Sequence, residues 1–419
     1  MPPTVWSHPV RRVNALVSLV ALLAVACSTP QDSALDAADS TTVDEPGSSL
    51  PGSPREPIRA VAQNCEPGQF HFDQPTCEPA HSIPLDEIIS GGPPPDGIPP
   101  IDNPIYESVE TAASWLSDSS PVMVIDIDND VRAYPLAILT WHEIVNDTVG
   151  DIPLVITYCP LCNSALVFKR TIDGPTGEQV LDFGTSGRLY LSNLVMYDRQ
   201  NRNLWTQFEG EAVVGEDLLG TQLTRVPAWL FGFQELAELH PDAQVLSRDT
   251  GHNRDYGRNP YTFYDAEDSD PFMFRGEPDP RQPPMTRLVG VTNSTAAVAI
   301  TLDHLRAERT IDVRLGNQNI TVLWAPGQAS ALDQSTINEG RDVGQTAAFI
   351  AEIDGQNLSL RPSETPNRFV DDASGSTFDL RGRALDGPYQ GRQLTPVVHD
   401  DTFWFVWVAF RPDTQLIGG

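Results

Sequence analysis

The chain has 419 residues, of which 40% are hydrophobic, and its 57 acidic residues outnumber its 27 basic residues to give a net charge of −30. This length allows two domains of ordinary size, each with its own core. The acidic balance argues against nucleic acid and anionic lipid head groups as partners, because binding them depends on clustered positive charge.

The N-terminal segment has the pattern of an export signal. Arg11 and Arg12 precede an apolar run, Val13–Ala26, which is too short to span a bilayer but has the length of a signal-peptide core. We therefore expect residues 1–26 to be a signal peptide. Cys27 follows small residues, as in a bacterial lipobox, where the cysteine is acylated. The pattern predicts an exported lipoprotein, anchored to a membrane outside the cytoplasm, at the cell surface or in the periplasm; the alternative is an ordinary signal peptide.

Two segments of biased composition follow the signal. Residues 27–57 are rich in Ser, Thr, Asp, Pro and Gly, so we expect a disordered, lipidated tether. Residues 58–103 form a Pro- and Gly-rich extension that contains Cys65 and Cys77. Because disulfides persist outside the cytoplasm, a structural bridge between these two cysteines is expected.

An internal repeat organises the rest of the chain. The segment Leu154–Leu166 aligns with Ile320–Leu332 through a shared aromatic residue, a proline and the triplet Ser-Ala-Leu, and shorter matches occur in the same order on both sides. We therefore predict two tandem copies of a related domain at residues 104–250 and 285–419. A Pro- and Asp-rich connector, residues 251–284, joins them.

The hydrophobic pattern within the repeats predicts an α+β fold dominated by strands. Runs rich in β-branched residues indicate strands, and Gly174 and Gly177 bracket a hairpin turn. In chain order, the predicted elements are a strand at 122–127, a helix at 136–145, strands at 152–158 and 165–172, a helix at 230–239 and a strand at 403–408.

The candidate site is the motif Cys159-Pro160-Leu161-Cys162, which lies between two predicted strands. Two thiols on a tight turn can chelate one soft metal ion or close a small reversible disulfide. In thioredoxin-like enzymes a helix follows such a motif, whereas a strand is predicted here. The arrangement therefore favours a metal-binding turn. The second repeat has Ala325 and Gln328 at these positions, so it cannot repeat thiol chemistry.

Two further residues are candidate metal ligands. His142 lies on the predicted helix before the strand that ends in Cys159, and a His-Cys-Cys set suits zinc or copper. Met196 would add a thioether and favour Cu(I). The alternatives are a histidine bonded to a backbone carbonyl and a methionine in the core. The leading hypothesis is an extracytoplasmic lipoprotein that binds copper or zinc; no nucleotide cofactor is indicated.

Other functions use the same residues differently. Cys159 and Cys162 could form the active site of a thiol–disulfide oxidoreductase, or a static bridge in a non-catalytic cell-surface binding module. Trp205 and Trp404 belong to a set of aromatic residues that could stack on carbohydrate, although core packing explains them as well. A Cys–His hydrolase with His142 is a more distant alternative. Whether the chain is an enzyme, and which protein or small molecule it meets, stays open.

The first repeat and the start of the connector contain a set of short motifs, Arg132–Leu136, His142–Asp147, Tyr158–Cys162, Phe183–Gly187, Met196–Arg199, Leu204–Gln207 and Arg254–Tyr256. Together these motifs resemble the DUF3179 domain family of bacterial and archaeal proteins. The resemblance is strongest over residues 97–264 and weaker over the second repeat, and it implies no established activity.

Overall fold

A computed structural model describes residues 79–175 and 177–419 of the chain. The predicted signal peptide and tether lie outside the described residues, as do Cys27, Cys65 and Cys77. Within the described ranges, no helix combines the length and apolar character that crossing a membrane requires. All the described residues belong to one compact unit. Below, the first half means residues 79–250 and the second half means residues 285–419.

Strands dominate the first half, as the sequence predicts. Its α-helices are α1 (Val109–Ala112), α2 (Leu136–His142) and α3 (Phe233–Leu239), and a 3-10 turn spans Leu85–Glu87. Its strands are β1 (Ile89–Ser90), β2 (Tyr106–Ser108), β3 (Pro121–Ile127), β4 (Asp130–Pro135), β5 (Ile144–Val149), β6 (Ile152–Cys159), β7 (Ser164–Lys169), β8 (Thr171–Gly174), β9 (Gly177–Val180), β10 (Phe183–Tyr190), β11 (Asn193–Asp198), β12 (Leu204–Thr206), β13 (Glu211–Val214), β14 (Trp229–Gly232) and β15 (Gln244–Leu246).

The second half has the same character. Its α-helices are α4 (Leu302–Glu308) and α5 (Trp404–Phe410), and a 3-10 turn spans Ile337–Glu339. Its strands are β16 (Arg287–Thr292), β17 (Ala297–Thr301), β18 (Thr310–Leu315), β19 (Gln318–Ala325), β20 (Gln345–Ile350), β21 (Glu352–Ile353), β22 (Gln356–Asn357), β23 (Leu360–Pro362), β24 (Phe369–Asp371), β25 (Thr377–Phe378), β26 (Thr395–Pro396), β27 (His399–Phe403) and β28 (Gln415–Ile417).

The two halves repeat one strand order. The sheet β14-β3-β4-β15-β2 of the first half corresponds to β27-β16-β17-β28 of the second. In both, the first three strands are antiparallel and the fourth runs parallel to its neighbour. The antiparallel set β5-β6-β7 likewise corresponds to β18-β19-β20. The halves do not separate into two compact units, so their independence as tandem domains stays a prediction.

One part of the predicted repeat alignment is wrong. Ser164-Ala165-Leu166 lies in β7, but Ser330-Ala331-Leu332 lies outside any strand, in the long connection between β19 and β20. The strand that pairs with β19 as β7 pairs with β6 is β20. The Ser-Ala-Leu triplets are therefore not structural counterparts, although Cys159 and Ala325 both end the preceding strand.

A predicted strand in the second half is a helix. The run 403–408 was expected to be a buried strand because it is apolar throughout, but β27 ends at Phe403 and α5 begins at Trp404. The first five residues of α5 are all buried. A helix without a polar face has no amphipathic period, so its sequence cannot be distinguished from that of a buried strand.

Two predicted helices are shorter than expected. The helix predicted at 136–145 ends at His142, because Glu143 adopts a left-handed conformation (φ 59°) and the chain continues directly as β5. The helix predicted at 230–239 begins only at Phe233, because the residues before it pair with β3 as strand β14. The hairpin turn between Gly174 and Gly177 is present between β8 and β9.

The strand–helix unit β27–α5 of the second half completes the core of the first half. Strand β27 packs against β7. Trp404 and Trp407 of α5 share one apolar core with Cys159, Phe168 and Trp205 of the first half. These tryptophans are core residues rather than a surface for stacking on carbohydrate.

The equivalent unit of the first half, β14–α3, completes the core of the second half. Strand β14 packs against β20. Phe233 and Leu236 of α3 share an apolar core with Leu323 and Phe349 of the second half. The exchange is therefore reciprocal, and neither half buries its apolar surface alone.

We expect residues 79–250, produced alone, to lack a cooperative thermal unfolding transition, because the core around Phe168 would lose the α5 side chains that fill it. Mixing this fragment with residues 251–419 should restore a transition, which circular dichroism at increasing temperature would detect. A fragment 79–250 that melts cooperatively at the temperature of the whole protein would contradict this interdependence.

Candidate functional site

The candidate site is the turn between β6 and β7. Cys159, the last residue of β6, pairs with Ser164, the first of β7, and the four residues between them form the loop. The N–H group of Cys162 donates to the carbonyl of Cys159 at 3.2 Å, and Asn163 closes the turn in a left-handed conformation (φ 52°). This strand–turn–strand arrangement brings both cysteine side chains to one side of the loop.

The two cysteines are free thiols that touch each other. Their sulfur atoms are 3.3 Å apart, and both residues are buried. A disulfide bond is about 2.05 Å long, so the sulfurs need to approach by only about 1.3 Å to form one. The two sulfur atoms are therefore close enough to react with each other.

Hydrogen-bond donors surround the sulfur of Cys159. Burial is the largest single influence on its pKa and raises it, because a thiolate is poorly solvated inside the protein. The S–H group of Cys162 and the backbone N–H groups of Leu194, Cys162 and Leu161 act in the opposite direction. Together they outweigh burial and lower the pKa of Cys159, so this thiol is the one that ionises first.

Cys162 retains its proton. Burial raises the pKa of Cys162 well above its usual value, and the hydrogen bond to Cys159 and the charge on that residue raise it further. The sulfur also lies 3.5 Å from the carbonyl of Ser192 and accepts a hydrogen bond of 3.3 Å from Nδ2 of Asn193. The pKa values of the two thiols in this turn are thus shifted in opposite directions.

A chain of buried, uncharged polar groups supports the pair. Asn193 Nδ2 donates to Gln207 Oε1 at 2.8 Å, and the same oxygen accepts a hydrogen bond of 2.9 Å from Ser164 Oγ. Gln207 Nε2 in turn donates to Thr157 Oγ1 at 2.9 Å. Leu204–Gln207 and the motif around Cys159 carried the family resemblance, but their contact through Gln207 was not predicted from the sequence.

The connector, expected to be only a link, covers the thiol turn. Tyr264 donates its hydroxyl hydrogen to the carbonyl of Leu161 at 3.0 Å, and the N–H group of Phe272 donates to the Tyr264 oxygen at 3.1 Å. Ser192, whose carbonyl faces Cys162, donates through Oγ to the carbonyl of Phe272 at 2.5 Å. Residues 264–272 are thereby fixed to both sides of the site.

The second half also holds the turn. The carbonyl of Cys162 accepts hydrogen bonds from Thr402 Oγ1 at 2.9 Å and from the N–H group of Phe403 at 3.3 Å. Asn163 Nδ2 donates to the carbonyl of Asp401 at 3.4 Å. The site therefore depends on the exchanged strand β27.

Glu143 is a titratable neighbour of the pair that the sequence did not single out. Its carbonyl accepts from the N–H group of Tyr158 at 2.8 Å, which places it beside the end of β6. Burial raises the pKa of Glu143 well above its usual value, and the negative charge of Cys159 raises it further. Within residues 79–175 and 177–419, the Glu143 carboxyl has no hydrogen-bond or ion-pair partner, so it remains protonated where surface glutamates are ionised.

The structure places the other predicted ligands differently. His142 bonds through Nδ1 to the carbonyl of Pro99 and through Nε2 to the hydroxyl of Tyr256, both at 2.6 Å. Met196 is fully buried on β11 in the same core as the cysteines. Among the described side chains, no three from His, Cys, Asp and Glu converge to hold one metal ion, so His142 and the thiols do not form the expected three-ligand set.

The raised pKa of Glu143 gives a pH-dependent difference in stability. As the pH rises above the ordinary carboxyl value of 4.5 towards the raised value in the folded state, wild type loses stability because the unfolded chain releases this proton more easily. Glu143→Gln cannot ionise, so its stability should exceed that of wild type increasingly over this range, as measured by urea unfolding.

Below pH 4.5 the difference should become constant, since both side chains are then neutral in the folded and unfolded chain. Glu110→Gln, at an exposed glutamate, is the matched control. A Glu143→Gln difference that does not change with pH would contradict a protonated carboxyl at this position.

Comparison with known proteins identifies the family. A family model described as "Protein of unknown function (DUF3179)" matches residues 95–414. No curated protein and no solved structure matches the chain. The matched range includes both halves and the connector, which extends the strong resemblance beyond the range 97–264 that the motifs indicated. Because the match spans well over half of the chain, the protein belongs to the DUF3179 family.

Proposed function

We propose that the chain is a thiol–disulfide oxidoreductase in which Cys159 is the nucleophile and Cys162 the resolving thiol. The observation that carries the proposal is the contact of two free thiols, whose sulfur atoms are 3.3 Å apart. Their surroundings lower the pKa of Cys159 and raise that of Cys162. A thiolate attacks and a thiol does not, so the lowered pKa of Cys159 selects the residue that reacts first. The neighbouring Cys162 is close enough to complete the exchange.

The reaction is a two-electron exchange with a disulfide substrate. The Cys159 thiolate attacks one sulfur of the substrate, forms a mixed disulfide and releases the first substrate thiolate. Cys162 then loses its proton, attacks the Cys159 sulfur and displaces the second substrate thiolate. The substrate disulfide is reduced, the cysteine pair is oxidised to a disulfide, and the reverse sequence oxidises a dithiol.

Metal binding by the thiol pair, the leading hypothesis from the sequence, stays a prediction. Two thiolates supply only part of a zinc or copper site, and His142 is engaged by Pro99 and Tyr256. The redox proposal needs no further ligand, and it explains why the two thiols differ in proton affinity. A static bridge would explain neither that difference nor the donors around Cys159.

We further propose export and lipid anchoring through Cys27, on the basis of the apolar run and the small residues before it. In an oxidising compartment, a dithiol of this kind exchanges electrons with other disulfides and dithiols rather than remaining permanently reduced. The anchor would hold the reaction at a membrane surface.

Thiol mapping tests the proposed function. We expect iodoacetamide to alkylate Cys159 before Cys162 in the reduced protein, with mass spectrometry of peptides identifying the site. Cys162→Ala should shift the alkylation of Cys159 to higher pH, because it removes the S–H donor that lowers the pKa of Cys159. A neutral small disulfide, bis(2-hydroxyethyl) disulfide, should then convert wild type to the Cys159–Cys162 disulfide.

Elemental analysis of the same sample separates the alternatives. Copper or zinc bound in proportion to protein, with both thiols protected from alkylation, would favour the metal hypothesis. Two cysteines that never form a disulfide with the reagent, and that alkylate equally, would show that the redox proposal is wrong. A 159–162 bridge that mild reductants leave intact would favour the binding module.

Access to the buried sulfurs gives a further prediction. Tyr264→Phe removes the hydroxyl that ties the connector to Leu161 and Phe272, so the turn should be uncovered more often. We expect alkylation of Cys159 at fixed pH to become about 30-fold faster, because the two ordinary hydrogen bonds that are lost contribute about 2 kcal/mol. Tyr389→Phe, in the second half, is the control. An unchanged rate would mean that substrate does not enter past the connector.

A further inference from the structure

The side-chain amide of Asn193 has only one possible orientation. Its Oδ1 accepts a hydrogen bond of 3.0 Å from the backbone N–H group of Phe208, and a backbone N–H can only donate. The nitrogen Nδ2 must therefore face the other way, towards Gln207 and Cys162. This assignment rests on the fixed polarity of a main-chain group.

The orientation of Gln207 is fixed independently. Its Nε2 lies 3.2 Å from the carbonyl of Ser164, which can only accept, so the oxygen Oε1 must face Ser164 Oγ and Asn193. Thr157 Oγ1 uses its hydrogen for the carbonyl of Leu166 at 3.0 Å, so it accepts from Gln207. In this series of hydrogen bonds, it is thus determined which groups donate and which accept.

The chain of hydrogen bonds ends on the sulfur of Cys162. Asn193 Nδ2 carries two hydrogens, of which one is donated to Gln207 Oε1 and the other to Cys162 Sγ at 3.3 Å. All of these residues are buried, so water does not compete for the donor. A neutral thiol is a weak acceptor, whereas a thiolate is a strong one, so this hydrogen bond strengthens when Cys162 loses its proton.

We propose that Asn193 is a catalytic residue that stabilises the Cys162 thiolate during closure of the disulfide, and that Gln207 is the positioning residue that orients it. This inference rests on the proposed function. The backbone N–H groups around Cys159 stabilise the attacking thiolate of the first step, and Asn193 serves the second step in the same way. The site thereby has a separate donor for the negative charge on each sulfur.

The role is confined to one step of the exchange. After the mixed disulfide has formed on Cys159, Cys162 gives up its proton to the substrate thiolate released in the first step, and its own thiolate forms the new S–S bond as the Cys159–substrate bond breaks. Asn193 donates a hydrogen bond throughout and neither gains nor loses a proton. Among the described residues, its side chain hydrogen-bonds to Cys162, Gln207 and Phe208 and not to Cys159, so attack on the substrate should proceed without it.

The test separates the two steps with bis(2-hydroxyethyl) disulfide as the probe. Quenched samples of the full chain, analysed by mass spectrometry, give the rate of mixed-disulfide formation on Cys159 and the rate of closure to the Cys159–Cys162 bond. Asn193→Asp keeps the size of the side chain and the acceptor for Phe208 but replaces the donor that faces Cys162. We expect closure to slow by about 10-fold or more.

The controls exclude a general loss of structure. Asn357→Asp, at an exposed asparagine on β22 of the second half, introduces the same change away from the thiol turn, so both rates should stay near wild type. Circular dichroism and melting temperature report the fold of each variant. Asn193→Ala, which introduces no charge near Cys159, should slow closure while formation of the mixed disulfide is unchanged, and should shift closure to higher pH.

A second measurement needs no disulfide exchange. In Cys159→Ser, the pH dependence of iodoacetamide alkylation reports the ionisation of Cys162 directly, and adding Asn193→Ala should move it to higher pH. Equal closure rates in wild type and both Asn193 variants would overturn the role of Asn193 alone. A wild type that forms the mixed disulfide but never closes, or forms neither, would overturn the proposed function and this inference with it.

Discussion

The fold depends on the exchange of strand–helix units between its halves. Trp404 and Trp407 of α5 are buried in the core of the first half, and Phe233 and Leu236 of α3 are buried in the core of the second. Burying one large apolar side chain contributes about 1.5–3 kcal/mol, so the several that each exchanged unit buries link the stability of one half to that of the other.

Ion pairs also join the two halves. Arg225 of the first half forms a bidentate ion pair with the buried Asp400 of the second, and Arg411 pairs with Glu209 at 2.8 Å. Removing one partner would leave a charge buried without compensation. Because Asp400 lies on β27, two residues before Thr402, its ion pair with Arg225 also holds the strand that contacts Cys162.

The sequence was sufficient where structure is determined locally. Strands β3 and β6, the turn at Cys159 and the hairpin at Gly174 follow from β-branched runs and turn residues, which act over a few positions. The exchange of α5 could not be predicted, because its apolar residues show burial but not the partner that buries them.

The same limit applies to the site. The cysteines were found from their spacing, but the cover of the turn by Tyr264 depends on the path of the connector, and the contact of Asn193 with Cys162 depends on strand pairing. Glu143 lies in the motif His142–Asp147, but the predicted metal ligand was its neighbour His142. The left-handed conformation of Glu143, which the sequence does not reveal, places Glu143 near the thiols and His142 beside Tyr256.

The repeated architecture shows which contacts between the halves do not depend on the sulfur atoms of the thiol turn. The residue before each exchanged helix, Gly232 or Phe403, donates its N–H group to the opposite half. Phe403 donates to the main-chain carbonyl of Cys162, which any residue could provide.

In the second half the equivalent bond needs no cysteine. Gly232 donates to Gln345 Oε1 at 3.0 Å, and Gln345 occupies the strand position that Ser164 has beside Cys159. The N–H group before α5 thus donates to the cysteine turn, whereas the N–H group before α3 donates to a glutamine side chain. Since neither sulfur takes part in that junction, the donors gathered around Cys159 and Cys162 are not required for this contact between the halves, which agrees with the thiol–disulfide exchange that we propose.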